Sequence, residues 1–192
     1  MKNCAMLLLG FVLLGCNALS NSQVIIPERN DVFREVSKDS PVPPGSVMLT
    51  VKAEIKTHHK DFYLLESRNS PHGRQQYPIL INIDGQQAFW EMPGMRDDTA
   101  MYDELGDVTP EGGKGMKYMI EKKLSVSPGR HQVAIALPGD EYGKKIEITL
   151  PQNRPSLLEF KPVYEQGGIG HHENFLHGIR QFDVYLNEQQ IE

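Results

Sequence analysis

Leu124-Ser125-Val126-Ser127-Pro128-Gly129-Arg130-His131-Gln132-Val133-Ala134-Ile135-Ala136-Leu137 is the stretch whose reading decides the fold. On the near side of Ser127-Pro128-Gly129-Arg130, Leu124 and Val126 alternate with polar residues, and on the far side His131, Val133, Ile135 and Leu137 share one parity. A period of two is that of a strand with one buried face. Proline at the second place of the turn presets its φ, and glycine at the third readily takes the positive φ of a type II turn. The two flanking strands are therefore expected to fold back on each other as a pair.

The same signals recur outward from this unit. Upstream, Ile79, Ile81 and Ile83 alternate into Asp84-Gly85, after which Ala88-Phe89-Trp90 resumes an apolar run. Asp-Gly between such runs is the strongest short hairpin signal, because both turn positions need positive φ. Earlier still, Val47, Leu49, Val51, Ala53 and Ile55 line one face of a strand, with Met48, Thr50, Lys52, Glu54 and Lys56 on the other. A less regular strand is expected over 61–66. Downstream, Pro138-Gly139 opens a loop, and alternating runs follow at Ile146-Ile148-Leu150, at Leu158, Phe160 and Tyr164, and at Phe182-Val184-Leu186. With no segment of helical period, the chain reads as an all-β, antiparallel β-sandwich of about seven to nine strands.

The start of the chain is of another kind. Lys2 precedes an apolar run from Ala5 to Leu14, too short to span a bilayer as a helix, and the run closes on Leu13-Leu14-Gly15-Cys16. That tetrapeptide resembles the lipobox of bacterial lipoproteins. The resemblance implies a signal peptide over 1–15, cleavage before Cys16, acylation of Cys16 by fatty chains such as palmitate, and stable anchoring, since two or more chains hold where one does not. Asn17 in place of Asp implies, by the enterobacterial pattern, transfer to the outer membrane with the domain facing the periplasm. Residues 16–45 are polar and carry Pro27, Pro41, Pro43 and Pro44, so they read as a tether with one helical turn capped by Asn30; 46–192 form the domain. Cys4 and Cys16 are the only cysteines, and neither is free for a disulfide after processing.

Ile79 to Tyr164 resembles a PEGA-type domain, a small immunoglobulin-like sandwich of exported bacterial proteins. The matching pieces are Ile83-Asp84-Gly85-Gln86, the L-x-V-x-P-G-x-H-x-V hairpin from Leu124 to Val133, and Pro138-Gly139 with Tyr142. The sequence departs from that pattern in the long connection 91–116 and in Asp140-Glu141, which interrupt the last turn. The resemblance implies a fold and a non-enzymatic character, and it carries over no catalytic or ligand residue.

Candidate chemistry is sparse. The 20 basic and 25 acidic residues give a net charge of -5, or -6 once Lys2 leaves with the signal (19 against 25), which argues against nucleic acid as a partner. No nucleophile elbow, H-E-x-x-H or phosphate loop appears, so no catalytic residue is assigned. His171, His172 and His177 have poor spacing for a metal, and His58, His59 and His72 could join only through the fold; no metal or cofactor is expected. His131 reads as a hydrogen-bonded turn residue. The connection 91–116 is rich in carboxylates and methionines without calcium-loop spacing, and reads as either a binding surface or a disordered insertion. Its candidate binding residues are Met95, Asp97, Asp98, Met101 and Tyr102, together with Trp90, which is a core residue or a sugar platform. Three functions stay open, in descending order of fit: a module that binds another envelope protein, a carbohydrate or peptidoglycan binder, and a hydrolase or metal-binding protein. The hydrolase would need a cleft gathering His59, His171 or Asp98.

Overall fold

The computed structural model describes residues 29–37, 41–140, 142–167 and 172–191. The expected signal peptide, Cys16, the expected tether up to residue 28, and His171 lie outside them. Ten strands follow in order: β1 (Phe33–Glu35), β2 (Val47–Thr57), β3 (Gln76–Ile83), β4 (Gln86–Asp97), β5 (Gly115–Val126), β6 (Gly129–Leu137), β7 (Tyr142–Leu150), β8 (Ser156–Tyr164), β9 (Ile179–Leu186) and β10 (Gln189–Ile191). The only helical piece among the described residues is the 3-10 turn Phe175–His177, and none of their helices is long and apolar enough to cross a membrane. The fold is all-β.

The strands run side by side as β10-β9-β8-β2-β5-β4-β3-β6-β7, all pairs antiparallel except β2 with β8. β4 belongs to both halves of this sheet. Up to Pro93 it pairs with β3, and from Gly94 to Asp97 it pairs with β5. The bend falls where a side chain cannot fit: a Cβ on Gly94 would lie 2.6 Å from the Tyr118 ring and 2.8 Å from the Arg74 carbonyl. Corners of this kind let strands pass from one layer of a sandwich to the other. By leaving β5, β4 vacates one edge near Val126, and β1 fills it with Phe33 opposite Val126. At the opposite seam β7 and β9 meet through side chains: the Tyr142 hydroxyl accepts from the Phe182 amide at 3.0 Å, and the Lys144 ammonium donates to the Phe182 carbonyl at 3.1 Å. The result is a nearly closed, sandwich-like barrel. Inside it the alternating residues meet, with Leu49, Val51, Ile55, Ile79, Ile81, Ile83, Val133, Ile135, Leu158, Phe160 and Val184 all buried.

Several expectations change. The Asp84-Gly85 hairpin forms as read, with φ of 48° and 94°. The Pro128-Gly129 turn has its positive φ at Gly129, 122°, but it does not join a hydrogen-bonded pair. β5 bonds to β1, β2 and β4, and β6 bonds to β3 and β7, so the turn is an arch from one layer to the other. His131 ties the two turns together, its Nδ1 2.7 Å from Asp84 Oδ2 and its Nε2 2.8 Å from the Ser127 carbonyl. Residues 61–66 form turns rather than a strand. The helical turn expected after Asn30 is instead β1, whose Phe33 is buried in the core, so the sheet recruits residues that read as tether. The connection read as 91–116 shortens to 98–114, because β4 runs on to Asp97 and β5 starts at Gly115.

The connections divide between the two ends of the barrel. At one end lie the tight links Asp84-Gly85, Ser127-Pro128, residues 151–155 and Asn187-Glu188, with β1 and the start of β2, joined through residues 36–46, beside them. At the other lie the segments 58–75, 98–114, 138–141 and 165–178. We call these the turn pole and the loop pole.

Candidate functional site

The loop pole is built on the end of β2, where the alternating burial stops and Ile55, Lys56, Thr57 and His58 are all buried. Parity placed Lys56 on the solvent face. The loop 98–114 and Phe175 cover that face instead. The Lys56 ammonium donates to Asp97 Oδ2 at 3.0 Å, the Glu111 carbonyl at 2.9 Å and the Gly113 carbonyl at 2.7 Å, and it lies 4.9 Å from the centre of the Phe175 ring. Hydrogen bonds from the Thr99 hydroxyl and from Lys56 hold the Asp97 carboxyl down at about 2. Burial pushes the Glu111 carboxyl up, with the Glu54 charge adding to it, and burial also raises the Tyr164 phenol, whose oxygen accepts from the Lys56 amide.

The loop 98–114 is a small folded hairpin. Tyr102 bridges to Val108, Asp103 accepts from the amides of Leu105 and Asp107, and the Gly113 amide donates to the Thr99 carbonyl. Its tip leaves Met101, Tyr102, Leu105 and Val108 exposed. Beside it the segment 58–75 exposes Leu64 at 98% and Leu65 at 95%, leaving two large apolar side chains almost wholly in water.

The segment 58–75 and Asp140 form a cluster of imidazoles and carboxylates. His58 Nδ1 is 2.9 Å from the His59 carbonyl, and its Nε2 is 3.0 Å from His72 Nδ1 and 3.6 Å from Glu66 Oε1. His72 Nδ1 is 3.5 Å from the same Oε1, while its Nε2 faces Asp140 Oδ1 at 2.5 Å. The phenol of buried Tyr77 donates to the other oxygen of Asp140. Phe62 stacks on His58 and Tyr63 meets it edge-on. Two glycines flank His72 in space and let the loops close. A Cβ on Gly73, whose φ is 67°, would lie 1.8 Å from the Lys60 amide, and one on Gly139 would lie 2.1 Å from the Pro71 ring.

No protein-family model, curated protein or solved structure matches the chain.

Of the residues singled out in the sequence, the fold brings Met95, Asp97, Asp98, Met101 and Tyr102 to the loop pole and leaves Trp90 out of it. Trp90 is buried on β4; its indole N–H donates to Glu35 Oε1 at 2.5 Å, with the Lys122 ammonium 5.8 Å from its ring centre. It presents no open platform for a sugar. Asp97 is committed to Lys56, and Asp98 pairs with Arg96 while lying 3.6 Å from His59 Nε2, a buried nitrogen without a hydrogen-bond partner. His172 and His177 are exposed on a different loop. Glu66, Tyr77 and Asp140 were missed. The sequence signal that marked them is the turn chemistry on either side, Pro71-His72-Gly73 and Pro138-Gly139-Asp140, which delivers side chains to one place only once the sheet is folded.

Proposed function

We propose that the chain is a lipoprotein anchored through Cys16 in the outer membrane and facing the periplasm, and that its β-domain is a non-catalytic module binding another envelope protein with the loop pole. The observation that carries this reading is the division between the poles. The chain enters the sheet through β1 at the turn pole, so an anchor on Cys16 tethers that end. Residues 17–28 reach about 40 Å when extended, and the length of β2 sets the loop pole about 35 Å further out. The exposed apolar side chains Leu64, Leu65, Met101, Tyr102 and Leu105 therefore face away from the anchoring bilayer, toward whatever the periplasm offers.

In-cell photocrosslinking tests it. A photoreactive residue at Leu65 or Tyr102 is expected to give one discrete protein adduct, and one at Glu188 on the turn pole none; adducts confined to Glu188, or none at the loop pole, overturn the reading. Cys16→Ser is expected to release the protein to the soluble fraction. A glycan-binding reading now rests on a different aromatic from Trp90. Phe89, 57% exposed, borders an open depression of about 640 Å3 with Asn69, Arg74, Gln76 and Glu91, amide and charged groups of the kind that bind sugar hydroxyls. Sedimentation with peptidoglycan sacculi that Phe89→Ala abolishes would favour it.

A further inference from the structure

His58, Glu66 and His72 bring three ligand-capable atoms within 3.6 Å of one another, and the groups behind them decide where the protons are. His58 Nδ1 faces a backbone carbonyl, which can only accept, so Nδ1 carries the hydrogen and Nε2 presents a lone pair. His72 Nε2 faces the Asp140 carboxylate, so that nitrogen carries the hydrogen and Nδ1 presents a lone pair. Two bare nitrogens thus face each other at 3.0 Å, beside a Glu66 oxygen that is buried and has no hydrogen-bond partner. Three lone pairs converging out of water repel unless a cation lies among them.

We propose that these three atoms, His58 Nε2, Glu66 Oε1 and His72 Nδ1, bind a divalent ion of the zinc class. Zinc bonds of about 2.0–2.1 Å at tetrahedral angles separate neighbouring ligand atoms by roughly 3.3–3.4 Å. The observed separations, 3.0, 3.5 and 3.6 Å, bracket that value. Two imidazoles with one carboxylate and no thiolate suit zinc and disfavour the soft copper(I) ion. The outer groups complete the pattern. Each imidazole donates its second N–H, one to the His59 carbonyl and one to Asp140, and Asp140 is itself held by Tyr77, an arrangement that fixes tautomer and ring direction at metal sites. Three protein ligands leave the fourth position to solvent. The bound ion would pin the segment 58–75, and with it Leu64 and Leu65, to the end of β2, whether or not the chain is lipidated.

The test uses the full-length protein, purified in detergent without a histidine tag, stripped with a chelator and titrated with zinc(II) and with cobalt(II). The expected result is one equivalent bound per chain, with the intense visible absorption of tetrahedral cobalt(II). Glu66→Gln, His58→Ala and His72→Ala are each expected to weaken binding by on the order of 100-fold, and Asp140→Asn by about 10–100-fold. His172→Ala is expected to bind as the parent does. Circular dichroism of Glu66→Gln and Asp140→Asn, both outside the strands, separates loss of ligand from loss of fold. No uptake by the parent would mean that a shared proton joins the two imidazoles and would overturn the proposal. Uptake that survives Glu66→Gln and Asp140→Asn in folded protein would overturn it equally.

Discussion

Lys56 places an ammonium where the sheet is covered on both faces, and it donates to Asp97 at the end of β4 and to two carbonyls of the loop it holds. Lys56→Met keeps the bulk but leaves the Asp97 carboxylate and the carbonyls of Glu111 and Gly113 without their donor. Removing one side of a buried ion pair costs about 3–5 kcal/mol, and we expect a loss of that size in urea unfolding, with the m-value unchanged. The pH dependence of stability follows from Asp97. Its carboxyl ionises at about 2 in the fold against 3.8 ordinarily, so its contribution is fully present above 3.8 and is lost as pH falls through about 2. Between about pH 5 and pH 2 the parent is expected to lose about 2 kcal/mol more than Asp97→Asn does, a difference readable from urea midpoints at each pH. Glu111 has the opposite sign: burial raises it above 4.5, so its share is present at lower pH and is lost as pH rises through its folded value, and it cancels in a comparison of the parent with Asp97→Asn.

β1 is three residues long, yet it satisfies the edge of β5 that the bend in β4 leaves open, and it buries Phe33 against the core. Phe33→Ala is expected to cost about 3–5 kcal/mol, whereas truncation of a residue in a free tether costs nothing; the urea midpoint distinguishes the two. That element was misread in the sequence because Val32, Phe33 and Val36 suit one helical turn as well as a short strand, and three apolar residues are too few to fix a period. The long strands were legible because each carries its own alternation, and Asp84-Gly85 because its geometry is local. The Pro128-Gly129 link shows where local reading stops. The same turn conformation can close a hairpin or an arch, and what decides is that both edges of β5 are already taken, one by β2 and the other by β4 and β1. The histidine and carboxylate cluster was hidden for a related reason: His58, Glu66, His72 and Asp140 follow no motif spacing, and they meet only because Gly73 and Gly139 allow two backbones to touch. In the acidic loop the sequence did not show that Asp97 and Asp103 would accept hydrogen bonds from the loop's own backbone while Met101 and Tyr102 are left outward.

Seen whole, the molecule is polar in the geometric sense, with the tight links at the end where the chain enters and the segments 58–75, 98–114 and 165–178 at the other. The double variant Leu64→Ser, Leu65→Ser tests what the far end is for. Both side chains are almost fully exposed, so stability is expected to stay within about 0.5 kcal/mol of the parent while the crosslinked adduct from Tyr102 disappears; an undiminished adduct would take those leucines out of the contact. The one parallel pairing, β2 beside β8, has a bearing on assembly in time. Leu49 waits for Ser156, and β2 has one of its two neighbours only after most of the chain has been delivered. Pairings this far apart in sequence close slowly, since the entropy of the intervening loop is lost before the contacts form. In a chain emerging from its amino end, that side of β2 stays open until the eighth strand arrives.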